Sequence, residues 1–91
     1  MDLIPGVPKA LAAGALQANQ GVLRGIAIRE TAGAAATVRL FDNASAGSGT
    51  LLGAYNLAAL GTVDLDYPRG RQFVNGVFAV ITGTVEGSIF V

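Results

Sequence analysis

From Val22 onward the chain alternates apolar and polar positions in short runs, each closed by small, turn-forming residues. Val22-Leu23-Arg24-Gly25-Ile26-Ala27-Ile28-Arg29 is rich in β-branched side chains, alternates in places, and stops at the breaker Thr31-Ala32-Gly33. Ala36, Val38 and Leu40 alternate with Thr37, Arg39 and Phe41, the pattern of a half-buried strand. Asp42 through Gly49 is a small-residue loop with the turn chemistry of Asp, Asn and Gly. Leu51 through Leu57 predicts another strand, with Leu51, Tyr55 and Leu57 sharing a face with Gly53, and Ala58-Ala59-Leu60-Gly61 a corner. Val63, Leu65 and Tyr67 then alternate with Thr62, Asp64 and Asp66, the most regular alternation in the chain.

Pro68-Arg69-Gly70-Arg71 reads as a turn, because proline pre-sets the dihedral of its second position. Asn75-Gly76 is the strongest hairpin signal, since a type I′ turn needs positive φ at both central residues. It predicts that Gln72-Phe73-Val74 pairs with Val77-Phe78-Ala79. Thr82-Gly83 predicts a second tight turn, joining Val77–Ile81 to a last strand from Val85 to Val91 with Val85, Gly87, Ile89 and Val91 facing one way.

Residues 1–20 have a different character, with two prolines, two glycines and few charges. Pro5 and Pro8 hold Ile4 and Val7 extended, as a following proline disfavours the α region. Lys9 to Ala18 suits either a short helix beginning after Pro8 or an extended edge strand; Gly14 and the short length make a helix marginal. The domain organisation expected is therefore an N-terminal arm over 1–20 and a β-sandwich over 21–91. About seven short strands near ten residues apart, without the helices a parallel sheet needs, predict an all-β fold: an antiparallel sandwich of jelly-roll or immunoglobulin-like kind.

Composition limits how such a domain can be held together. The 91 residues make one domain, and a chain this short buries only about 60–65% of the surface exposed when unfolded. Hydrophobic residues reach 52%, but 16 of them are alanine, which adds little apolar area. Domains of this size commonly rely on disulfides, a metal or neighbouring subunits. With no cysteine and no histidine, disulfides and the commonest metal ligands are absent, so oligomerisation is the expected source of added stability. Six basic residues balance six acidic ones, which leaves no electrostatic footprint for nucleic acid. Nor is there a run of about 18–20 apolar residues to span a membrane, or a basic N-terminal start of a signal peptide, so synthesis in the cytoplasm is expected.

Candidate chemistry is sparse, and no enzyme is expected. A nucleophile needs an adjacent base; histidine is missing and the single lysine, Lys9, sits in the arm. Asp64 and Asp66 share one strand face and invite an acid–base or calcium reading, yet calcium takes about 6–8 oxygens and no third ligand adjoins them in sequence. Solvent-facing charges that deter edge pairing explain them as well. Gly47-Ser48-Gly49 leads into a strand rather than a helix and lacks the lysine of a phosphate-binding loop. Arg69 and Arg71 fit a solvated turn or a grip on an acidic neighbour. No cofactor or metal is expected.

Phe41, Phe78 and Phe90 each lie out of phase with the apolar residues beside them, so their strands carry large apolar groups on both faces. An isolated sandwich leaves its outer faces wet, and three phenylalanines in that position point to a subunit interface.

The string from Val22 to Val91 resembles a group of small tailed-phage virion proteins of sandwich fold, of the capsid-decoration or head-associated type. The resemblance is carried by Val38-Arg39-Leu40-Phe41-Asp42-Asn43, the Ser/Gly loop, Gly49-Thr50-Leu51-Leu52, Gly61, Pro68, Gly76-Val77-Phe78-Ala79-Val80, and the ending from Gly83 to Val91. It implies a structural homo-oligomer, often a trimer, bound non-covalently to the major capsid protein or another virion protein. The arm then serves as a tether, since 20 extended residues span at most about 65–70 Å, with Leu3, Ile4 and Val7 as anchors. The alternative expectation is a phage fibre or surface module that recognises a receptor or carbohydrate, although the chain has no Trp and only Tyr55 and Tyr67 as possible sugar platforms.

Overall fold

A computed structural model describes residues 8–91, and every regular element among them is a β-strand. In order these are β1 (Pro8–Ala10), β2 (Gly14–Gln17), β3 (Gly21–Glu30), β4 (Ala36–Asp42), β5 (Thr50–Leu57), β6 (Thr62–Phe73), β7 (Val77–Thr82) and β8 (Val85–Phe90). They form two antiparallel four-stranded sheets, β1-β8-β3-β6 and β2-β7-β4-β5. The expected antiparallel sandwich is observed, with eight strands rather than about seven. Of the two conformations open to Lys9–Ala18, the chain takes the extended one. The described part of the expected arm is thus built into both sheets, β1 along β8 and β2 along β7.

β1 pairs with β8, β2 with β7, β3 with β6 and β4 with β5. The chain is in effect one long antiparallel ribbon, doubled back at residues 43–49 and rolled so that successive strands alternate between sheets. That is jelly-roll order. An immunoglobulin-like sandwich keeps several sequential pairs side by side, whereas here only β4 and β5 do so.

Two local expectations are corrected. Asn75-Gly76 does not close a hairpin between 72–74 and 77–79, because β6 and β7 belong to different sheets. Phe73 pairs with Gly21, and Phe78 with Phe41 and Ala15. Thr82-Gly83 joins β7 to the last strand as expected, and there too the chain passes into the other sheet. A tight turn reverses the chain whether or not its arms share a ladder, so turn chemistry alone does not choose between a hairpin and a corner. Pro68–Arg71 is no turn either. It remains within β6, where the register slips between Leu23↔Arg71 and Gly25↔Asp66, so residues 67–70 bulge opposite Arg24.

A second bulge reverses one face assignment. The β4–β5 register shifts between Leu40↔Gly53 and Phe41↔Leu51, so Leu52 turns into the core and Leu51 turns out, away from Tyr55 and Leu57. Because side chains alternate with period two, a single extra residue moves everything beyond it to the other face. Leu23, Ile26, Val38, Leu40, Val77 and Ile89 are fully buried between the sheets. Each large aliphatic of that kind contributes roughly 1.5–3 kcal/mol by leaving water. Gly87, opposite Ile28, lets β8 approach β3 closely; a Cβ there would fall on the Ala27 carbonyl oxygen.

Candidate functional site

The outer face of the β2-β7-β4-β5 sheet carries Leu51 and Val80, two of the exposed large apolar side chains. Cross-strand pairing sets Ala15, Phe78, Phe41 and Leu51 in one row across all four strands. Paired residues of an antiparallel ladder lie on the same face with Cβ atoms about 4.5–5.5 Å apart, so these four are neighbours. The next row is Val80, Arg39 and Ala54. Phe41 and Phe78 are each half-buried, and Leu51, at the end of the row, is 49% exposed.

The loop over 43–49 partly covers this face. Asn43 ties the loop to itself: its Oδ1 accepts from the amides of Ser45 (2.9 Å) and Ala46 (3.0 Å), and its Nδ2 donates to the Ser48 carbonyl (3.0 Å). That brings Gly47 down onto Val80 and the ring of Phe78, where a Cβ would collide with Val80. The Ser/Gly loop thus fits because glycine stands at its point of closest approach.

Phe41 and Phe78 therefore come together, while Phe90 lies on the opposite side of the molecule. It sits on the outer face of the other sheet, paired with Pro8 and Gly25. Leu3, Ile4 and Val7 lie outside the described residues. Ala15, Leu51 and Val80 were not singled out in the sequence. Ala15 was hidden by the helix-or-strand ambiguity of its segment, and Leu51 by the bulge.

The face carrying Phe90 is otherwise small and polar. Ala10, Ser88, Ala27 and Asp64 form one row, with Asp66 opposite Gly25 and an Arg29–Glu86 ion pair at 3.3 Å beside them. Asp42 does not join Asp64 and Asp66. Its carboxylate accepts from the amides of Asn75 (2.8 Å) and Val74 (3.0 Å) at one end of the sandwich. Those donors, with the Gly76 amide, hold its carboxyl below the ordinary aspartate range against the opposing effect of desolvation. Among the described residues no cluster of three acidic side chains could hold a metal ion.

Arg71, read as a solvated or acid-gripping residue, folds back instead. Its guanidinium stacks 4.2 Å from the centre of the Tyr67 ring and donates to the Leu52 carbonyl. The Tyr67 and Tyr55 hydroxyls share a 2.6 Å hydrogen bond, and burial, then that bond, pushes the Tyr55 hydroxyl well above its ordinary pKa. Together these side chains close the seam between edge strands β5 and β6.

One buried group escaped the sequence altogether. Glu30 is 2% exposed, and its carboxylate accepts from four amides: Leu60 (2.8 Å), Ala32 (2.7 Å), Gly33 (2.8 Å) and Ala34 (3.1 Å). The Leu60 amide lowers its pKa most; burial works the other way, and the three loop amides add to the lowering. The available signal was a lone acid followed by Thr-Ala-Gly-Ala-Ala, a loop with amides to satisfy and few side-chain acceptors. No family model matches the chain, and no curated protein or solved structure matches it either.

Proposed function

We propose that this chain is a structural subunit: a jelly-roll module that decorates or stabilises a virus capsid through non-covalent contacts with copies of itself and with the shell. The observation that carries this reading is the apolar row Ala15–Phe78–Phe41–Leu51 on an outer sheet face. Outer faces of isolated sandwiches are ordinarily polar, and a contiguous aromatic row there suits protein contact. The 9.2 kDa chain, lacking cysteine and histidine, gains from such contacts the stability that a disulfide or metal supplies elsewhere. Jelly rolls are frequent in viral shells, and the capsid assignment follows the sequence resemblance.

The alternative, a carbohydrate- or receptor-binding module on a fibre, loses support from the seam, since the hydroxyls of Tyr55 and Tyr67 bond each other and Tyr55 is buried. A sugar platform needs an exposed ring.

Light scattering on size-exclusion fractions tests the assembly. The expected result is a defined oligomer that Phe41→Ser and Phe78→Ser weaken, with capsids gaining heat resistance when the protein is added. A monomer that neither self-associates nor binds particles would overturn the proposal.

A further inference from the structure

Four strands form the lateral edges of this sandwich, and they are not equally protected. β1 and β2 are only three and four residues long. β6 spans twelve residues but carries Asp64, Asp66, Pro68, Arg69, Arg71 and a bulge. Shortness, charge, proline and bulging are the devices by which native sheets keep edges from pairing with other chains. β5, eight residues from Thr50 to Leu57, carries no charge and no proline. Its one bulge lies at Leu52, whose carbonyl Arg71 already holds, so Gly53 to Leu57 runs straight along an edge that, among the described residues, is paired on one side only, with β4.

We infer that the β5 edge is a self-pairing surface: two copies of this chain join β5 antiparallel across a twofold axis, making one continuous eight-stranded sheet. A dyad matches the edge to itself, so one operation satisfies both copies. The strand suits a like partner because it brings no charge of its own; its outward side chains along the straight stretch are Ala54 and Asn56. Centred on Ala54, pairing sets Gly53 opposite the partner's Tyr55, both inward, and the matched contact is confined to Gly53–Tyr55, since the bulge at Leu52 brings outward Leu51 in line with the partner's inward Leu57. The nearest fixed charge on that face is Arg39, one strand in. Two such arginines stand about three strand spacings apart, roughly 14 Å, beyond the screening length of about 8 Å at physiological salt.

The same side of the molecule also leaves apolar surface uncovered. Leu65 pairs with the fully buried Ile26 and so faces inward, yet it remains 44% exposed because, among the described residues, no strand lies beyond β6. Leu51, at the end of the outer apolar row, is on β5 itself.

The inference rests on the assembly reading above, and the test separates the two. Ala54→Lys and Ala54→Glu each place like charges opposite one another at the dyad, and each is expected to raise the dimer dissociation constant about fivefold. An equimolar mixture of the two variants restores association, which a folding defect would not. Asp64→Lys, a charge change on the blunted β6 edge, leaves association unchanged. Hydrogen exchange shows concentration-dependent protection confined, among edge amides, to Gly53, Ala54 and Tyr55. An oligomer, for instance a trimer, that ignores both Ala54 variants and leaves β5 amides unprotected overturns this inference and spares the assembly reading. A monomer at every concentration that also fails to bind particles overturns both.

Discussion

The two ends of the sandwich are each tied by one carboxylate, but in different surroundings. At one end Glu30, fully inside, accepts four amides from two connections, 31–35 and 58–61, while the Glu30 and Thr31 amides donate to Gly61 and Thr84. At the other end Asp42, half-buried, accepts the Val74 and Asn75 amides of a single connection. Where the backbone crosses between sheets its amides lose ladder partners, and an unsatisfied buried donor is costly. A carboxylate as buried as Glu30 has to be met by protein donors, whereas the half-buried Asp42 can share its oxygens with water. The same chemistry is a structural necessity at Glu30 and a reinforcement at Asp42.

Breaking the comparison from its stronger side gives the largest expected effect. Glu30→Leu leaves four amides without an acceptor and should lower the thermal midpoint on the scale of a core truncation such as Leu23→Ala, itself about 2–5 kcal/mol. Hydrogen exchange of Ala32, Gly33, Ala34 and Leu60 should rise together. If Glu30→Leu melts like the wild type, the buried clamp contributes nothing.

Acid comes next. Both carboxyls titrate below their ordinary values, 4.5 for glutamate and 3.8 for aspartate, so in acid the unfolded chain binds more protons than the folded one. The stability they add is complete above those values and disappears as pH falls through the depressed folded ones. Thermal midpoints measured from pH 7 downward should hold steady to about pH 5 and then drop. Glu30→Gln should flatten that drop more than Asp42→Asn does.

Asp42→Asn keeps one acceptor oxygen and lies at the wetter end, so a smaller fall in midpoint is expected, with faster exchange confined to Val74 and Asn75. The smallest effect belongs to Glu86, whose pair with Arg29 is more than half exposed at both partners. Glu86→Gln should change stability by less than about 1 kcal/mol, as surface pairs do. A denaturant series over these three carboxylates, ranked Glu30, Asp42, Glu86, checks whether contribution follows burial and donor count.

Strand alternation was legible wherever one face meets the core: Val38 and Leu40 inward against Arg39, Ile89 inward against Phe90. It failed locally at Leu51 and at Pro68–Arg71, because a bulge leaves no mark in an apolar–polar pattern and appears only when two strands are laid in register. Of the site, the out-of-phase phenylalanines were visible, but not that Phe41 and Phe78 are neighbours while Phe90 faces away. That separation follows from sheet membership, which sequence spacing does not encode.

The chain's own residues thus determined an all-β sandwich, most of its strand segments and reversals, and the absence of disulfides. Those are local or compositional properties, set by side-chain period, turn chemistry and residue count. Tertiary structure alone decided that the reversals at Asn75-Gly76 and Thr82-Gly83 are corners of a jelly roll, that 8–17 closes both sheets, and that Glu30 holds one end. Each of these brings together residues far apart in sequence, as when Leu60 donates to Glu30, and such pairings are selected by the joint burial of two sheets rather than by any one segment's preference.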